Sequence, residues 1–371
     1  MSTQEISAAF TSPTTKSPPR RNAGARNFSL LKNRVVDAGL MRRRRGYYLG
    51  VVMLLTLFLA AAVTGFTLLG DSWFQLFVAG ALGIILTQFA FLAHEASHRQ
   101  VMESGPANDR AGRILANAVV GISYQWWMNK HTRHHAKPNT VGKDPDIEQD
   151  TISFQPEDAA ARTGLMAWLT RRQGYLFFPL LTMEGLNLHT QSIKYLFSGN
   201  KVKARKRELT TIGLRLAIYL AAIYIFLPWG IASAFVGVQL AVFGIYMGAS
   251  FAPNHKGMPL IPKTSTIDFF SRQVLTSRNI MGKTSFGTRV LTGVFGGLNY
   301  QVEHHLFPSM PRPHLREVSV MVRAYCQELK VPYTVASVGA SYGQVVRYLN
   351  TVGLSARDPF DCPMVTEYRP H

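Results

Sequence analysis

The sequence has little cysteine, since only Cys326 and Cys362 occur among its 371 residues. Their spacing matches no metal-binding motif. Both lie in a segment that we expect to face the cytoplasm, where thiols stay reduced, so no disulfide is expected. Neither a disulfide framework nor a cysteine metal site is therefore predicted.

Acidic residues are also scarce. The 21 Asp and Glu residues stand against 40 Lys and Arg residues, which gives a formal net charge of +19. A nucleic-acid-binding protein would place such a charge on one face of a soluble domain. Here the basic residues flank long uncharged runs, so membrane orientation explains the charge and no nucleic-acid partner is expected.

Charge is absent from several long apolar runs. Residues 47–70 carry no charge over 24 residues, and a helix rising about 1.5 Å per residue would span the roughly 30 Å hydrocarbon core of a bilayer over that length. A second run follows after a short turn, and a later pair repeats this plan with Arg215 as its only charged residue. We predict four transmembrane helices in two hairpins, at about residues 47–70, 73–93, 211–229 and 231–252.

The basic residues also predict an orientation. Segments 1–46, 96–210 and 254–371 hold 10, 16 and 13 of the Lys and Arg residues, and the two hairpin turns hold none. Four crossings place these three segments on one side of the membrane, and the positive-inside rule makes that side cytoplasmic. Both termini are expected there, and in a bacterium the membrane would be the plasma membrane.

The chain divides into three predicted parts. Residues 1–46 are rich in Ser, Thr, Pro and Arg with little periodicity, which favours a disordered basic cytoplasmic tail. They do not resemble a signal peptide, because the next apolar run is too long and no cleavage site is evident. Residues 47–310 form the membrane domain with a cytoplasmic cap at 94–210 and 253–310. Residues 311–371 extend that cap, with helices predicted near 315–330 and 341–352.

The chain has eleven histidines, and their placement is informative. His94 and His98 are spaced i, i+4, on one face of a helix that leaves the membrane. A second motif, HTRHH, repeats this spacing, and a third, QVEHH, carries an adjacent pair. The predicted topology brings eight histidines to one membrane face: His94, His98, His131, His134, His135, His255, His304 and His305. His189 is expected to be an interfacial residue, and His314 and His371 ordinary surface residues.

Residues 94–98, HEASH, match the H-E-x-x-H motif of zinc proteases when taken alone. A catalytic zinc takes only about three protein ligands, whereas eight imidazoles suffice for two metals. Imidazole suits iron, copper, nickel and zinc, so the ligand type does not choose among them. Two metals beside a membrane interior favour redox chemistry on an apolar substrate, which leaves Glu95 as a supporting or surface carboxylate. A zinc protease is a remote alternative, and a metal transporter would place polar ligands within its spans.

Three motifs together resemble the histidine boxes of integral-membrane fatty acid desaturases: HEASH, KHTRHHAKPNTVGKDPDIE and GLNYQVEHHLFPSMPRPHL. They are similar to the branch whose third box begins with Gln, including bacterial acyl-CoA or acyl-lipid desaturases without a fused cytochrome b5. The resemblance covers most of residues 45–350. It implies an all-α membrane fold with four transmembrane helices under a cytoplasmic helical cap, two irons as cofactors, O2 as co-substrate and a tunnel for an acyl chain.

The resemblance also implies roles for individual residues. All eight histidines named above would bind iron, with His255 as the additional ligand after the last span. Gln301 replaces the first histidine of the third box, so direct ligation, ligation through water and no ligation all remain open. Supporting contacts to the ligands are expected from Asp144, Asp146, Asn254 and Glu303, although a solvated acidic turn explains the two aspartates equally well.

The implied reaction suits an unactivated methylene, which offers no acidic proton and no electrophilic carbon to acid–base or nucleophilic catalysis. The resemblance implies that iron and O2 remove two neighbouring hydrogens, leaving a cis double bond and two waters. A membrane hydroxylase or ketolase shares the HxxxH and HxxHH motifs and is the alternative. The QVEHHLFP context favours the desaturase.

The reaction would also need two electrons from a partner. No HPGG haem motif occurs, so a separate ferredoxin or flavin reductase is expected as donor. It could dock on the basic cap, although these charges could equally serve only to set topology. The basic cluster at residues 201–207 could bind anionic membrane lipids or the phosphates of an acyl-CoA. Trp126, Trp127 and the stretch 175–188 could line the substrate entrance.

Overall fold

The computed structural model describes residues 20–148, 150–199 and 201–356. This part of the chain is almost entirely helical, with two strands of two residues each. The elements up to the second predicted hairpin are α1 (Arg20–Asp37), α2 (Arg45–Leu69), α3 (Gln75–Ser97), α4 (Gly105–Arg113), a π-helix (Ile114–Val120), α5 (Tyr124–Ala136), α6 (Pro156–Ala160), α7 (Gly164–Arg171), α8 (Phe177–Leu181) and α9 (Glu184–Phe197).

The second half of the chain begins with the second hairpin. Its elements are α10 (Arg205–Phe226), α11 (Trp229–His255), α12 (Phe269–Leu275), β1 (Asn279–Ile280), α13 (Ser285–Val294), α14 (Gln301–Leu306), a 3-10 turn (Arg312–His314), α15 (Leu315–Glu328), β2 (Val335–Ala336) and α16 (Val338–Gly353). The two strands pair in parallel, with Asn279 opposite Val335. The prediction of an all-α fold is confirmed.

Four helices among the described residues are long and apolar enough to cross a membrane: α2, α3, α10 and α11. They form the two predicted hairpins. The helices differ from the apolar runs at their ends, because α3 continues to Ser97 and α11 to His255. These extensions carry the helical geometry of each span into the segments that bear histidines.

The two inner helices pack directly on each other. About half of the apolar window of α3 and 39% of that of α11 is buried, against 6% for α2 and 11% for α10. Gly83 allows the close approach, because a Cβ there would lie 2.9 Å from the Gln239 carbonyl oxygen. The outer helices α2 and α10 therefore present apolar side chains outward, as expected of surfaces that face lipid.

Helices α8 and α9 pack along the side of α11. Helix α9 lies against α11 where two glycines meet, since a Cβ on Gly185 would stand 2.2 Å from the Leu240 carbonyl oxygen. The stretch 175–188 thus forms α8 and the start of α9 and packs on α11. The predicted helices near 315–330 and 341–352 correspond to α15 and α16.

The amino-terminal segment differs from the expected disordered tail. Residues 20–37 form α1, and Leu31 and Val35 are buried in a cluster with Val318 and Val322 of α15. Apolar residues spaced four apart were the available signal, but the surrounding polar composition concealed it. The expectation of disorder is wrong for this helix, while residues 1–19 lie outside the described chain.

The cysteine prediction can be followed for one residue only. Cys326 is buried in the same cluster and is a free thiol within the described chain. Cys362 lies outside the described residues, as does His371.

Candidate metal centre

Eight of the histidines in the described chain converge at the cytoplasmic ends predicted for the spans. They form two groups whose ring nitrogens lie within 4.8 Å of one another. We call them the five-histidine group (His94, His98, His131, His135 and His304) and the three-histidine group (His134, His255 and His305). The groups are adjacent, because the His135 and His305 rings stack with centroids 4.3 Å apart.

Short helices place these side chains. The last turn of α3 presents His94 and His98 on one face, and α5 presents the HTRHH histidines at i, i+3 and i+4. Helix α5 begins at Ser123, whose hydroxyl oxygen accepts the Trp126 amide at 3.1 Å and donates to Glu208 at 2.5 Å. This cap, supplied partly by the buried carboxylate at the start of α10, fixes where α5 begins.

In the five-histidine group, more ring nitrogens face one another than the available protons can join in hydrogen bonds. His131 Nε2 lies 2.9 Å from His94 Nε2 and 2.7 Å from His98 Nε2, yet it can carry only one proton. His304 Nε2 and both ring nitrogens of His135 are buried without a hydrogen-bond partner in the described chain. Such orphaned, converging acceptors fit a cation bound between them.

The protonation state of these rings also fits a bound cation. Burial, together with neighbouring imidazoles, holds the pKa of His131, His135 and His304 well below the ordinary value. These rings are therefore neutral near pH 7, and neutral imidazole is the form that binds metal.

The three-histidine group is built differently, because each ring has a hydrogen-bond partner on its Nδ1 side. His134 Nδ1 lies 3.0 Å from Asp144 Oδ1, His255 Nδ1 2.9 Å from the Thr276 carbonyl oxygen, and His305 Nδ1 2.9 Å from Gln273 Oε1. All three partners accept, so each Nδ1 carries a proton and each Nε2 offers a lone pair, of which that of His255 faces the Gln301 amide nitrogen at 2.9 Å. This is the arrangement that orients histidine ligands in metal sites.

Asp144 and Asp146 both lie beside His134. Asp144 is fully buried and also accepts the Asn139 amide at 2.7 Å. Asp146 lies 3.3 Å from His134 Nδ1 and pairs with Lys130 at 2.9 Å. Burial lowers the pKa of His134, but the two carboxylates outweigh burial and leave that pKa above its ordinary value. The predicted supporting contact is thus close for Asp144 and longer for Asp146.

Gln301 lies on the side of the three-histidine group where the lone pairs meet. Its amide nitrogen lies 2.9 Å from His255 Nε2, and its oxygen accepts from Asn254 Nδ2 at 3.2 Å. Asn254 therefore reaches the site through Gln301 and not through a histidine. Glu303 contacts neither Gln301 nor a histidine of this group, because its buried carboxylate accepts from Asn279 at 2.6 Å and from Tyr333 at 2.7 Å. Burial raises the pKa of Glu303 to about 7.

The glutamate of HEASH has partners that the sequence did not indicate. Glu95 is buried and accepts from Arg312 Nε at 2.9 Å, from Arg312 Nη2 and from the Tyr48 hydroxyl at 3.1 Å. A general base must be free to take a proton from its substrate, whereas this carboxylate is already paired with a guanidinium. The geometry therefore contradicts the zinc protease alternative.

Several supporting residues escaped sequence reasoning. Tyr48, Gln273 and Thr276 have no local pattern that marks them, and Thr276 acts through its backbone carbonyl. Arg312 does lie inside the third motif, and a lone arginine among prolines was the available signal.

An apolar cavity ends at the five-histidine group. It is lined by residues of α3, the π-helix, α5, α9 and α11, including Phe91, Val120, Met247 and Phe251, and it reaches His94. Trp126, Trp127 and Leu188 also line it, so both aromatic residues and one end of the 175–188 stretch lie where a substrate path was expected. Trp127 stacks on His131 with ring centroids 4.7 Å apart.

The remaining histidines lie apart from the two groups. His189 is buried, and its ring nitrogens lie 2.7 Å from the Gly185 and 3.3 Å from the Val120 carbonyl oxygens. It joins α9 to the π-helix inside the protein. His314 is near the surface, with Nε2 3.2 Å from the Arg42 carbonyl oxygen. The basic cluster at 201–207 borders an open surface hollow lined by Lys201, Lys203 and Arg205.

Comparison with known proteins agrees with this architecture. The family model for fatty acid desaturases matches residues 71–337. The Delta(8)-fatty-acid desaturase of Helianthus annuus is 28% identical over 90% of this chain and 74% of its own length. The Delta(6)-fatty-acid desaturase fat-3 of Caenorhabditis elegans is 29% identical over 88% of this chain and 74% of its own. The acyl-lipid (9-3)-desaturase of Borago officinalis is 27% identical over 86% and 73%.

The family match covers well over half of the chain and includes all three histidine motifs. Together with four apolar helices, it identifies an integral membrane protein. This chain belongs to the fatty acid desaturase family and is an oxidoreductase that desaturates fatty acyl chains.

Proposed function

We propose that this protein inserts a cis double bond into a long-chain acyl group, using O2 and two irons held by the eight histidines. The observation that carries the proposal is the position of two groups of buried, converging imidazoles at the end of an apolar cavity. The acyl group would be joined to CoA or to a membrane lipid.

The five-histidine group would hold one iron and the three-histidine group the other. Asp144 and Gln273, together with the Thr276 carbonyl, would keep the three-histidine ligands in the tautomer that offers Nε2. Gln301 would contribute a polar atom beside His255. When bound, the irons would supply redox chemistry that consumes O2, two electrons, two protons and two substrate hydrogens, giving an alkene and two waters.

The chain's own residues would bind and position the substrate. Phe91, Met247, Phe251 and the neighbouring apolar side chains would exclude water and hold an acyl chain against His94. Since a methylene reacts only when it is held close to the oxidant, the depth of the chain in this cavity would select the carbon that reacts. The relatives named above carry different double-bond designations, so the position must be measured for this chain.

Electrons would come from a separate ferredoxin or flavin reductase on the cytoplasmic side. The basic segments that follow α3 and α11 favour this orientation, and in a bacterial cell the membrane would be the plasma membrane. Lys130 and Lys256 lie next to Asp146 on this face, where an acidic partner would be attracted.

The test is a fatty-acid profile, by gas chromatography and mass spectrometry, of cells that express this chain with a reductase partner. We expect a new unsaturated species that is absent from cells expressing His305→Ala at equal protein level. A hydroxylated species that depends on His305 would contradict the proposal and indicate the hydroxylase alternative. Acyl-CoA and lipid fractions collected at early times would identify the acyl carrier by where the product first appears.

A further inference from the structure

A buried ion pair lies beside the five-histidine group without belonging to it. Glu95 and Arg312 are 2% and 5% exposed, and two guanidinium nitrogens meet the two carboxylate oxygens. Burial lowers the pKa of Arg312, but the neighbouring Glu95 carboxylate outweighs burial and holds that pKa above its ordinary value. The guanidinium therefore stays charged, and the contact is a two-point ionic one.

The pair joins two elements that both carry histidines. Glu95 lies between His94 and His98 in the last turn of α3. Arg312 follows α14, the helix that carries His304, after a short irregular segment. The His304 ring lies 4.8 Å from the His94 ring and 4.9 Å from the His98 ring, so the position of α14 against α3 sets the spacing of three of the proposed ligands.

Neighbouring residues strengthen the same junction. The Tyr48 hydroxyl accepts the Arg312 amide at 3.2 Å while it contacts Glu95. Gln100 Nε2 donates to the Pro308 carbonyl oxygen at 2.7 Å, and Arg43 donates to that of Ser309 at 2.7 Å. The segment after α14 is therefore attached to both spans of the first hairpin.

This junction supplies what the five-histidine group otherwise lacks. In the three-histidine group each Nδ1 has its own acceptor, whereas the Nδ1 atoms of His94 and His135 are buried with no hydrogen-bond partner in the described chain. Rings without such partners depend on their backbones for position. Two charges held by a rigid, bidentate contact fix the backbones that carry His94 and His304 more firmly than a single hydrogen bond.

We infer that the Glu95–Arg312 pair positions the five-histidine group, by fixing α14 against α3, and that losing the pair weakens metal binding there while sparing the three-histidine group. The inference rests on the proposed function, because it assumes that both groups bind iron. Glu95 and Arg312 are positioning residues, since neither contacts a histidine ring or the cavity.

The test measures iron per chain in purified full-length protein. Removing one partner would leave the other charge buried, so the main variant is the double neutral change Glu95→Gln with Arg312→Met. We expect about two irons per chain in the unchanged protein and about one in the double variant. Arg312→Lys keeps the charge but loses the two-point contact, and we expect an intermediate iron content. Arg215→Met is the matched control, because it removes a half-buried arginine that bonds a backbone carbonyl outside the two histidine groups.

Second-site changes identify which iron is lost. Adding His134→Ala to the double variant should remove the remaining iron, whereas adding His98→Ala should leave it near one per chain. Two irons retained in the double variant, or the opposite response to these additions, would overturn the inference. If the double variant does not fold, Arg312→Lys with the same additions decides the question. Fewer than two irons in the unchanged protein would instead overturn the proposed function.

Discussion

The rings of the two histidine groups are held in position by different contacts. In the three-histidine group every ring is oriented by its own acceptor: Asp144, the Thr276 carbonyl or Gln273. In the five-histidine group the rings mostly contact one another, and two of the three helices that carry them, α3 and α14, are joined through Glu95 and Arg312. A small ligand set thus depends on local hydrogen bonds, while a larger one depends on how its helices are assembled.

Both groups should nevertheless be necessary for catalysis. We expect His98→Ala and His305→Ala each to reduce desaturation to the level of cells without the protein, because each removes a proposed ligand from a different proposed iron position. Fatty-acid profiles at matched expression test this, with His314→Ala as a control at a histidine outside both groups. Substantial activity in either variant would show that one group is dispensable.

The supporting hydrogen bonds should matter more in the three-histidine group. Asp144→Asn keeps the shape of the side chain but removes the charge next to His134, and we expect iron affinity there to fall roughly 10- to 100-fold. Competition with a chelator measures the loss, and iron in the five-histidine group should be retained. If iron leaves both groups together, the comparison drawn above is wrong.

As pH falls, the three-histidine group should lose its iron before the five-histidine group does. Burial lowers the pKa of His131, His135 and His304, whereas Asp146 and Asp144 outweigh burial and raise that of His134. A raised pKa means that a proton competes with iron at a higher pH, so the three-histidine group should release its iron first as pH falls. Iron retained after gel filtration over a series of pH values from 7 downward measures the two release steps.

Gln301 should have the smallest effect. It lies beside His255 but is uncharged, so we expect Gln301→Ala to weaken iron binding in the three-histidine group only several-fold, less than Asp144→Asn. The same chelator competition decides this, with Asn254→Ala as a variant that removes the partner of Gln301 and leaves its amide in place. A loss as large as that in Asp144→Asn would indicate direct ligation.

Local patterns in the sequence carried much of this architecture. The lengths of uncharged runs predicted the four spans, and the i, i+3, i+4 spacing in HEASH and HTRHH predicted which rings share a helix face. His304 and His305 show the limit of such reasoning, because they are adjacent in sequence but belong to different groups. Their division depends on the direction in which α14 crosses the site.

Other residues had a local signal that was weak or absent. His189 is in an apolar stretch that resembles an interface, yet it is buried and bonded to two backbone carbonyls. Helix α1 is polar in composition, yet two aliphatic residues one turn apart bury it against α15. In both cases the outcome depends on what the rest of the chain places opposite the residue.

The sequence by itself determined the four membrane helices, the number of imidazoles and their emergence at one end of the spans, because length, charge and helical periodicity are local properties. Only the tertiary structure decided how the histidines divide into two groups, which residues accept hydrogen bonds from their Nδ1 atoms, and that Glu95 pairs with Arg312. Glu95 and Arg312 lie 217 positions apart, and the Nδ1 contacts join residues 10 to 32 positions apart. The packing of α3, α11 and α14 brings them together, and no spacing within a single segment encodes it.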